Sequence, residues 1–358
     1  MTHPTMTHPT MTRPHVITGA TGLLGSALLL ELLQRTTSDI WCLVRAGDEN
    51  QAMERITAAL RSAANAYGSA RHLHAGAVES RCHPLPGDIQ NSRFGLSERR
   101  LPRAALFWHC AATLQYHETA AADIETINVR SVQQALDLCR ATDAQLNYVS
   151  TAYVAGRGDG VRFEVLPDLA RPVRNLYESS KARAETLVSR SAVPWRIMRP
   201  SIISAHSTSG KAPSGTPVSR LLGKLQVFRD IHLTSGTEEL TVPADSETEL
   251  NFVPVDLAAG ALADVGTLGP TATVFHITNK IGTKIGTVYP EMFRRAGLPE
   301  PILSTRNPEM TALDVRLAEI MEFDLQYAVG HQTFDRSNTD RVIGGDTLKF
   351  AITENALN

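Results

Sequence analysis

A doubly wound α/β fold, with a parallel sheet covered on both faces and a smaller, mostly helical C-terminal lobe, is predicted by three observations. Short apolar runs alternate with helical stretches up to about residue 200. The first of these runs, His15-Val16-Ile17-Thr18, passes directly into a glycine-rich turn. Beyond Pro200 the alternation gives way to a Ser/Thr/Gly/Pro/Ala-rich stretch and then to helical and irregular sequence. Buried strands separated by helices indicate a parallel sheet, because each crossover helix must pack on one of its faces.

The elements follow in order. Val16–Thr18 reads as the first strand and Ser26–Gln34 as the first helix; Ile40–Val44 is the second strand, and a long helical pattern runs from Asn50 to near Asn65. Further strands are expected at Arg81–Leu85, Ala105–Cys110, Leu146–Ser150 and Trp195–Met198, with helices around Ile127–Arg140 and Tyr177–Ser189. Residues 204–218 read as a long mobile loop, either closing over a substrate or simply connecting surface elements. Asn251–Asp256 then leads into an alanine-rich helix, and Val274–Thr278 is a strand that returns to the sheet. These patterns divide the chain into a disordered leader (1–12), a dinucleotide-binding domain (13–203, rejoined by 250–281) and a substrate lobe (204–249 and 282–358). The leader repeats MTHPT and has almost nothing to bury.

Composition narrows the function. With 42% hydrophobic and 20% charged residues and a formal charge of -2, the chain has no global attraction for nucleic acid or an anionic membrane. Its four cysteines, Cys42, Cys82, Cys110 and Cys139, form no closely spaced ligand pair, so no metal site is expected. They read as small buried side chains in a reducing cytosol. The apolar run Ala27–Leu30 is cut by Glu31, far short of the roughly 20 residues that span a bilayer. A cytoplasmic protein is the expectation.

Gly19-Ala20-Thr21-Gly22-Leu23-Leu24-Gly25 follows the first strand and opens the first helix. In this pattern one glycine permits the tight turn and the second lets backbone approach a pyrophosphate. The third allows close helix–strand packing, while the helix N-terminus faces the phosphate charge. Gly19, Thr21, Gly22, Leu23, Leu24 and Gly25 are therefore candidate cofactor contacts. At the end of the second strand an acid would bind a free ribose 2′-hydroxyl and an arginine a 2′-phosphate. The sequence supplies Arg45, with no carboxylate before Asp48, and Arg55 in the next helix; this favours NADPH over NADH. A solvated arginine is the plainer alternative. Asp88 and Ile89 after the third strand are expected at the adenine, and Ala111, Ala112 and Thr113 beside the nicotinamide ribose. His109 reads as a satisfied core histidine.

Tyr177 and Lys181, four residues apart, share one helical face. A phenol is a poor proton donor at neutral pH unless its pKa falls from near 10, and a neighbouring ammonium favours the phenolate. The same lysine can hold the nicotinamide ribose. Upstream, Ser150-Thr151 ends a strand where a hydroxyl can donate to a substrate carbonyl. Asn128 is a candidate support for a relay water to Lys181, or a simple helix cap.

These residues, in this order, resemble the extended short-chain dehydrogenase/reductase superfamily over roughly residues 14–280, a Rossmann-type fold. Trp41–Ala46, Ala52–Arg55, Ser150–Val154 and Asn251–Asp256 resemble its thioester reductase branch, which includes terminal reductase domains of nonribosomal peptide and polyketide synthases, carboxylic acid reductases and fatty acyl-CoA reductases. The resemblance implies that Thr151, rather than Ser150, works with Tyr177 and Lys181. It also implies NADPH-dependent reduction of an acyl thioester, carried by an acyl carrier protein or coenzyme A, to an aldehyde or alcohol. Only the leader precedes the glycine turn, so the thioester is expected to arrive in trans; oligomeric state is left open. Competing expectations are a sugar-nucleotide epimerase or dehydratase, a plain aldehyde or ketone reductase, and a non-catalytic NADPH sensor. Arg45 speaks against the epimerase and the Tyr/Lys pair against the sensor.

Overall fold

The computed structural model describes residues 13–68, 76–233, 238–305 and 309–351; the expected leader lies outside them. Seven parallel strands form the central sheet: β1 (His15–Thr18), β2 (Ile40–Val44), β3 (Cys82–Pro86), β4 (Leu106–His109), β5 (Gln145–Val149), β6 (Trp195–Pro200) and β7 (Thr273–Ile277). Their spatial order is β7-β6-β5-β4-β1-β2-β3. The chain therefore winds outward from β1 in one direction to β3 and then reverses through β4, which opens a crevice at the carboxyl ends of β1 and β4. Register is fixed on both sides of β1, His15 pairing with Ile40 and with Leu106. Every residue of β1, β4, β5 and β6 is buried, as a sheet covered on both faces requires. Pro84 and Pro86 are tolerated in β3 because it is an edge strand.

The long helices are α1 (Leu23–Arg35), α2 (Glu49–Tyr67), α3 (Ser131–Thr142), α4 (Leu176–Ser189), α5 (Pro217–His232), α6 (Val255–Leu268), α7 (Ile285–Ala296) and α8 (Ala312–Ile320). One hydrophobic cluster joins α1, α2 and α6 to one sheet face, and another joins α3 and α4 to the opposite face. The lobe has its own core, in which Leu225 and Phe228 of α5 meet Met292 and Phe293 of α7 and Leu317 of α8. No helix of the described residues is long and apolar enough to cross a membrane.

Two features differ from the sequence reading. The 204–216 connection is stitched down rather than loose. Asp256 accepts from Ser207 N (2.8 Å) and Ser207 Oγ (2.6 Å), Ser209 Oγ donates to Ala66 O (2.6 Å), and Ser62 Oγ donates to Pro213 O (2.9 Å). The loop lies against α2 and α6, which makes it a surface connection. The second difference is the C-terminal stretch, read from sequence as part of the lobe. Gln332–Phe334 pairs with Gly160–Arg162, the helix Ser337–Ile343 packs on α6 and β7, and Leu348 enters the main core. Buried Glu164 anchors this return, accepting from His276 N and Thr339 Oγ1 at 2.6 Å each.

The buried pair Arg199–Glu185 ties β6 to α4 through two hydrogen bonds, Nε–Oε1 at 2.9 Å and Nη2–Oε2 at 2.6 Å. Both side chains are almost fully enclosed, so removing one leaves the other charge unpaired away from water. We expect Arg199→Met to lower unfolding free energy by about 3–5 kcal/mol in urea titrations. The double variant Arg199→Met/Glu185→Leu should lose much less, and equal losses would contradict an unpaired charge as the cause.

Candidate active site

A cavity of about 840 Å³ runs from the glycine turn, past the ends of β4, β5 and β6, into the lobe. Its wall includes Gly19, Thr21, Gly22, Leu23, Leu24, Gly25, Arg45, Arg55, Asp88, Ile89, Ala111, Ala112, Thr113, Thr151, Tyr177 and Lys181. Residues scattered over nearly half the chain thus converge because the sheet reverses between β1 and β4.

The turn is built by close backbone approach. Gly19 takes φ +72°, and a Cβ there would lie 2.8 Å from Ala111 N; a Cβ on Gly25 would lie 2.0 Å from Gly19 O. Gly22 is the N-cap of α1 and no side chain caps that helix, which leaves its first turn open to an anion in the cavity. At the end of β2, Arg45 and Arg55 are exposed, and the Arg55 guanidinium donates to Arg45 O. Neither forms an ion pair among the described residues. Asp48, the first carboxylate after Arg45 in the sequence, is committed as the N-cap of α2, accepting from Gln51 N at 2.8 Å. Asp88 accepts from Gln90 N (3.0 Å), which orders the loop after β3.

Tyr177 is the second residue of α4, whose N-cap, Asn175, accepts from Glu178 N at 3.0 Å. Lys181 follows one turn later with its ammonium buried, donating to Val149 O at 2.9 Å and lying 4.9 Å from the Tyr148 ring centroid. Burial pushes Lys181 down to about 8, against the attraction of Cys110 and Glu185. Thr151 caps the short turn Ala152–Ala155 by accepting from Tyr153 N (3.3 Å), and its hydroxyl also hydrogen-bonds the Tyr177 phenol. It therefore both finishes its strand end and reaches the Tyr177 phenol.

The expected acidification of Tyr177 by Lys181 is corrected by the structure. Burial raises the phenol above its ordinary value, Glu178 adds to this, and only the Thr151 hydrogen bond opposes it. The lysine ammonium is directed to Val149 O instead, so desolvation prevails over attraction.

Asn128 lies in a π-helical turn, Glu125–Arg130, behind the cavity wall. Its Nδ2 donates to Thr113 O and Ser180 Oγ, both at 3.0 Å, and its Oδ1 accepts from Thr113 N at 2.9 Å. It clamps the Thr113 loop, and a relay water would have only the second lone pair of Oδ1. His109 bridges Thr18 Oγ1 and Ser131 Oγ at 3.0 Å each, and burial lowers it to about 3, so it is a neutral structural residue.

Sequence reasoning missed the far half of the cavity. Val218 and Leu221 of α5, Val288 and Met292 of α7, Phe252, Phe323 and Tyr327 make an apolar chamber beyond Tyr177. It also missed the clamp that holds the start of α4. Arg174 pairs with buried Glu178 (3.2 Å), donates to Gln326 O (3.1 Å) and lies 4.9 Å from the Tyr327 ring centroid, while Asn175 donates to Tyr327 Oη (3.1 Å).

Fold and site together define an NAD-binding reductase of the extended short-chain dehydrogenase/reductase type. Residues 17–262 match the male sterility protein family, and the chain belongs to that family, the thioester reductase branch of the superfamily. A linear gramicidin synthase from Brevibacillus parabrevis is 28% identical over 282 residues, 75% of this chain and 5% of its own length. Aldehyde reductase lnaA of Aspergillus flavus is 26% identical over 292 residues, 76% of this chain and 25% of its own. The chain thus spans a minor part of these relatives. The terminal R domain from the myxalamid PKS-NRPS pathway superposes with a TM-score of 0.75 at 26% identity, covering 97% of this chain and 88% of that one. UDP-glucuronic acid 4-epimerase from Bacillus cereus (TM-score 0.62, 16% identity, 96% of each chain) shares the fold alone.

A lysine whose folded pKa lies below its unfolded value of about 10.4 destabilises the fold while charged. Between pH 8 and 10.4 the unfolded chain holds more protons, so stability rises with pH. Relative to Lys181→Met, the protein without cofactor should gain about 2 kcal/mol between pH 8 and pH 10 in urea unfolding. Parallel curves would mean that the ammonium is not desolvated.

Proposed function

We propose that the protein reduces an acyl thioester, carried by an acyl carrier protein or coenzyme A, to an aldehyde with NADPH, and can carry the aldehyde on to the alcohol with a second NADPH. The observation that carries this reading is the continuity of the cavity: the glycine turn, the Thr151–Tyr177–Lys181 group and an apolar chamber share one space. Its volume is within the usual range for small-molecule sites, about 300–1,000 Å³.

The residues fit the dinucleotide. Gly19, Gly22 and the open first turn of α1 would hold the pyrophosphate, Asp88 and Ile89 the adenine, and Ala111–Thr113 the nicotinamide ribose with Lys181. Arg45 and Arg55, free of carboxylates, would take a 2′-phosphate, which favours NADPH. When bound, the cofactor supplies hydride from nicotinamide C4.

Thr151 and Tyr177 hydroxyls donate to the thioester carbonyl oxygen and stabilise the negative charge that grows on it as the carbonyl carbon is reduced. That alkoxide oxygen is a stronger base than a phenolate, so Tyr177 can pass it a proton although burial holds the phenol up. Lys181 fixes α4 against β5 and keeps the phenol in place. Collapse of the resulting hemithioacetal breaks the carbon–sulfur bond, releasing a thiol and an aldehyde. The same two hydroxyls serve the second reduction, whose oxyanion occupies the same position.

NADPH oxidation with an acyl-CoA, an acyl carrier protein and a free aldehyde tests the reading. Consumption with aldehyde alone would remove thioester reduction, and none with any of them would remove the enzyme. Tyr177→Phe should lower kcat by at least about 100-fold while leaving NADPH affinity nearly unchanged. Full activity would exclude it as the proton donor. Arg45→Ala should raise KM for NADPH about tenfold and leave NADH unaffected; equal changes would undo the 2′-phosphate assignment.

A further inference from the structure

The cavity opens to solvent at its lobe end beside α5, where Arg220 and Lys224 both line it and both are exposed. Four residues apart, they stand one above the other on one face of that helix. Neither is used in an ion pair among the described residues. Lys224 Nζ donates only to Ile320 O (3.3 Å), and Arg220 engages Thr216 O through Nε alone (3.4 Å), which leaves both Nη groups for a ligand. Asp324 shares the wall within electrostatic reach of both cations, which draw its pKa down against the rise that burial causes; it offsets one of their two charges, so the three side chains together leave this end net positive. Directly inside it the wall becomes apolar, through Val218 and Leu221 of the same helix.

Resting on the thioester reading above, we propose that Arg220 and Lys224 form the subsite for the phosphate of the phosphopantetheine arm that delivers the acyl group. That arm is a long uncharged chain with its charge confined to the phosphate at one end and its thioester at the other. A cavity that is cationic at its entrance, apolar within and catalytic at its depth matches it end for end. The dinucleotide phosphates are accommodated elsewhere, at the glycine turn and at Arg45 and Arg55, so they do not account for this pair. The arm of a carrier protein and that of coenzyme A present the same phosphate chemistry here.

The test compares one acyl group on carrier protein, on coenzyme A and on pantetheine, which lacks the phosphate. In the double variant Arg220→Ala/Lys224→Ala, KM for the phosphorylated donors should rise about tenfold, as expected when two exposed charge contacts are lost. KM for acyl-pantetheine and for NADPH should not change. The difference should shrink as salt is raised, because exposed charges are screened. A rise with only one phosphorylated donor would assign the subsite to that source. An equal rise with acyl-pantetheine, or none with either phosphorylated donor, would overturn the proposal. Calorimetry of 4′-phosphopantetheine and pantetheine with the NADP⁺-loaded protein separates it from the parent reading. Phosphate-dependent binding that disappears in the double variant, without turnover of any thioester, keeps the subsite and removes the reduction. Turnover without phosphate preference removes the subsite alone.

Discussion

The buried hydrogen bond from Lys181 Nζ to Val149 O holds the rest of the site in relation to the sheet. A lysine ammonium taken out of water is costly unless it finds an acceptor, and here the acceptor is the last carbonyl of β5. That contact sets the height of α4 over the strand end. Tyr177, one turn before Lys181, then stands beside Thr151, just beyond the same strand. The Arg174–Glu178 pair and the Asn175 contact to Tyr327 hold the start of α4 from the lobe side, so both halves of the molecule position one phenol.

The phenol's electrostatics change what the site must do. In a wet site a cation four residues away would draw the tyrosine pKa down, but burial of both groups makes desolvation the larger effect. The unliganded site therefore keeps the Tyr177 phenol protonated. In the proposed reaction such a phenol would give up its proton only when a strongly basic oxygen forms within reach, which would tie proton transfer to carbonyl reduction. Thr151 offsets part of the penalty by hydrogen-bonding the phenol, and in the proposed reaction it would share the oxyanion.

Much of this was legible in the sequence because local patterns carried it. The run His15–Thr18 into Gly19, and the four-residue spacing of Tyr177 and Lys181, depend on neighbours a few residues away, and both stand where those patterns imply. The role of Asn128 was less legible, since its partners Thr113 and Ser180 lie 15 and 52 residues distant. The apolar chamber was hidden for a similar reason. Val288 and Met292 have ordinary core spacing along α7, and nothing local distinguishes a side chain facing a cavity from one facing a neighbour. The 204–216 connection misled because its Ser, Gly and Pro content favours turns, while the bonds that pin it come from Asp256 and α2. Likewise, no local cue sends Gln332 back to Gly160.

A structure of the protein with NADP⁺ and a non-cleavable thioester analogue would test the central claim most directly. Tyr177 Oη and Thr151 Oγ1 should both lie within hydrogen-bond reach of the analogue's carbonyl oxygen, about 2.6–3.2 Å, with the nicotinamide C4 facing the carbonyl carbon. A carbonyl held away from both hydroxyls, or a phenol turned out of the cavity, would contradict it.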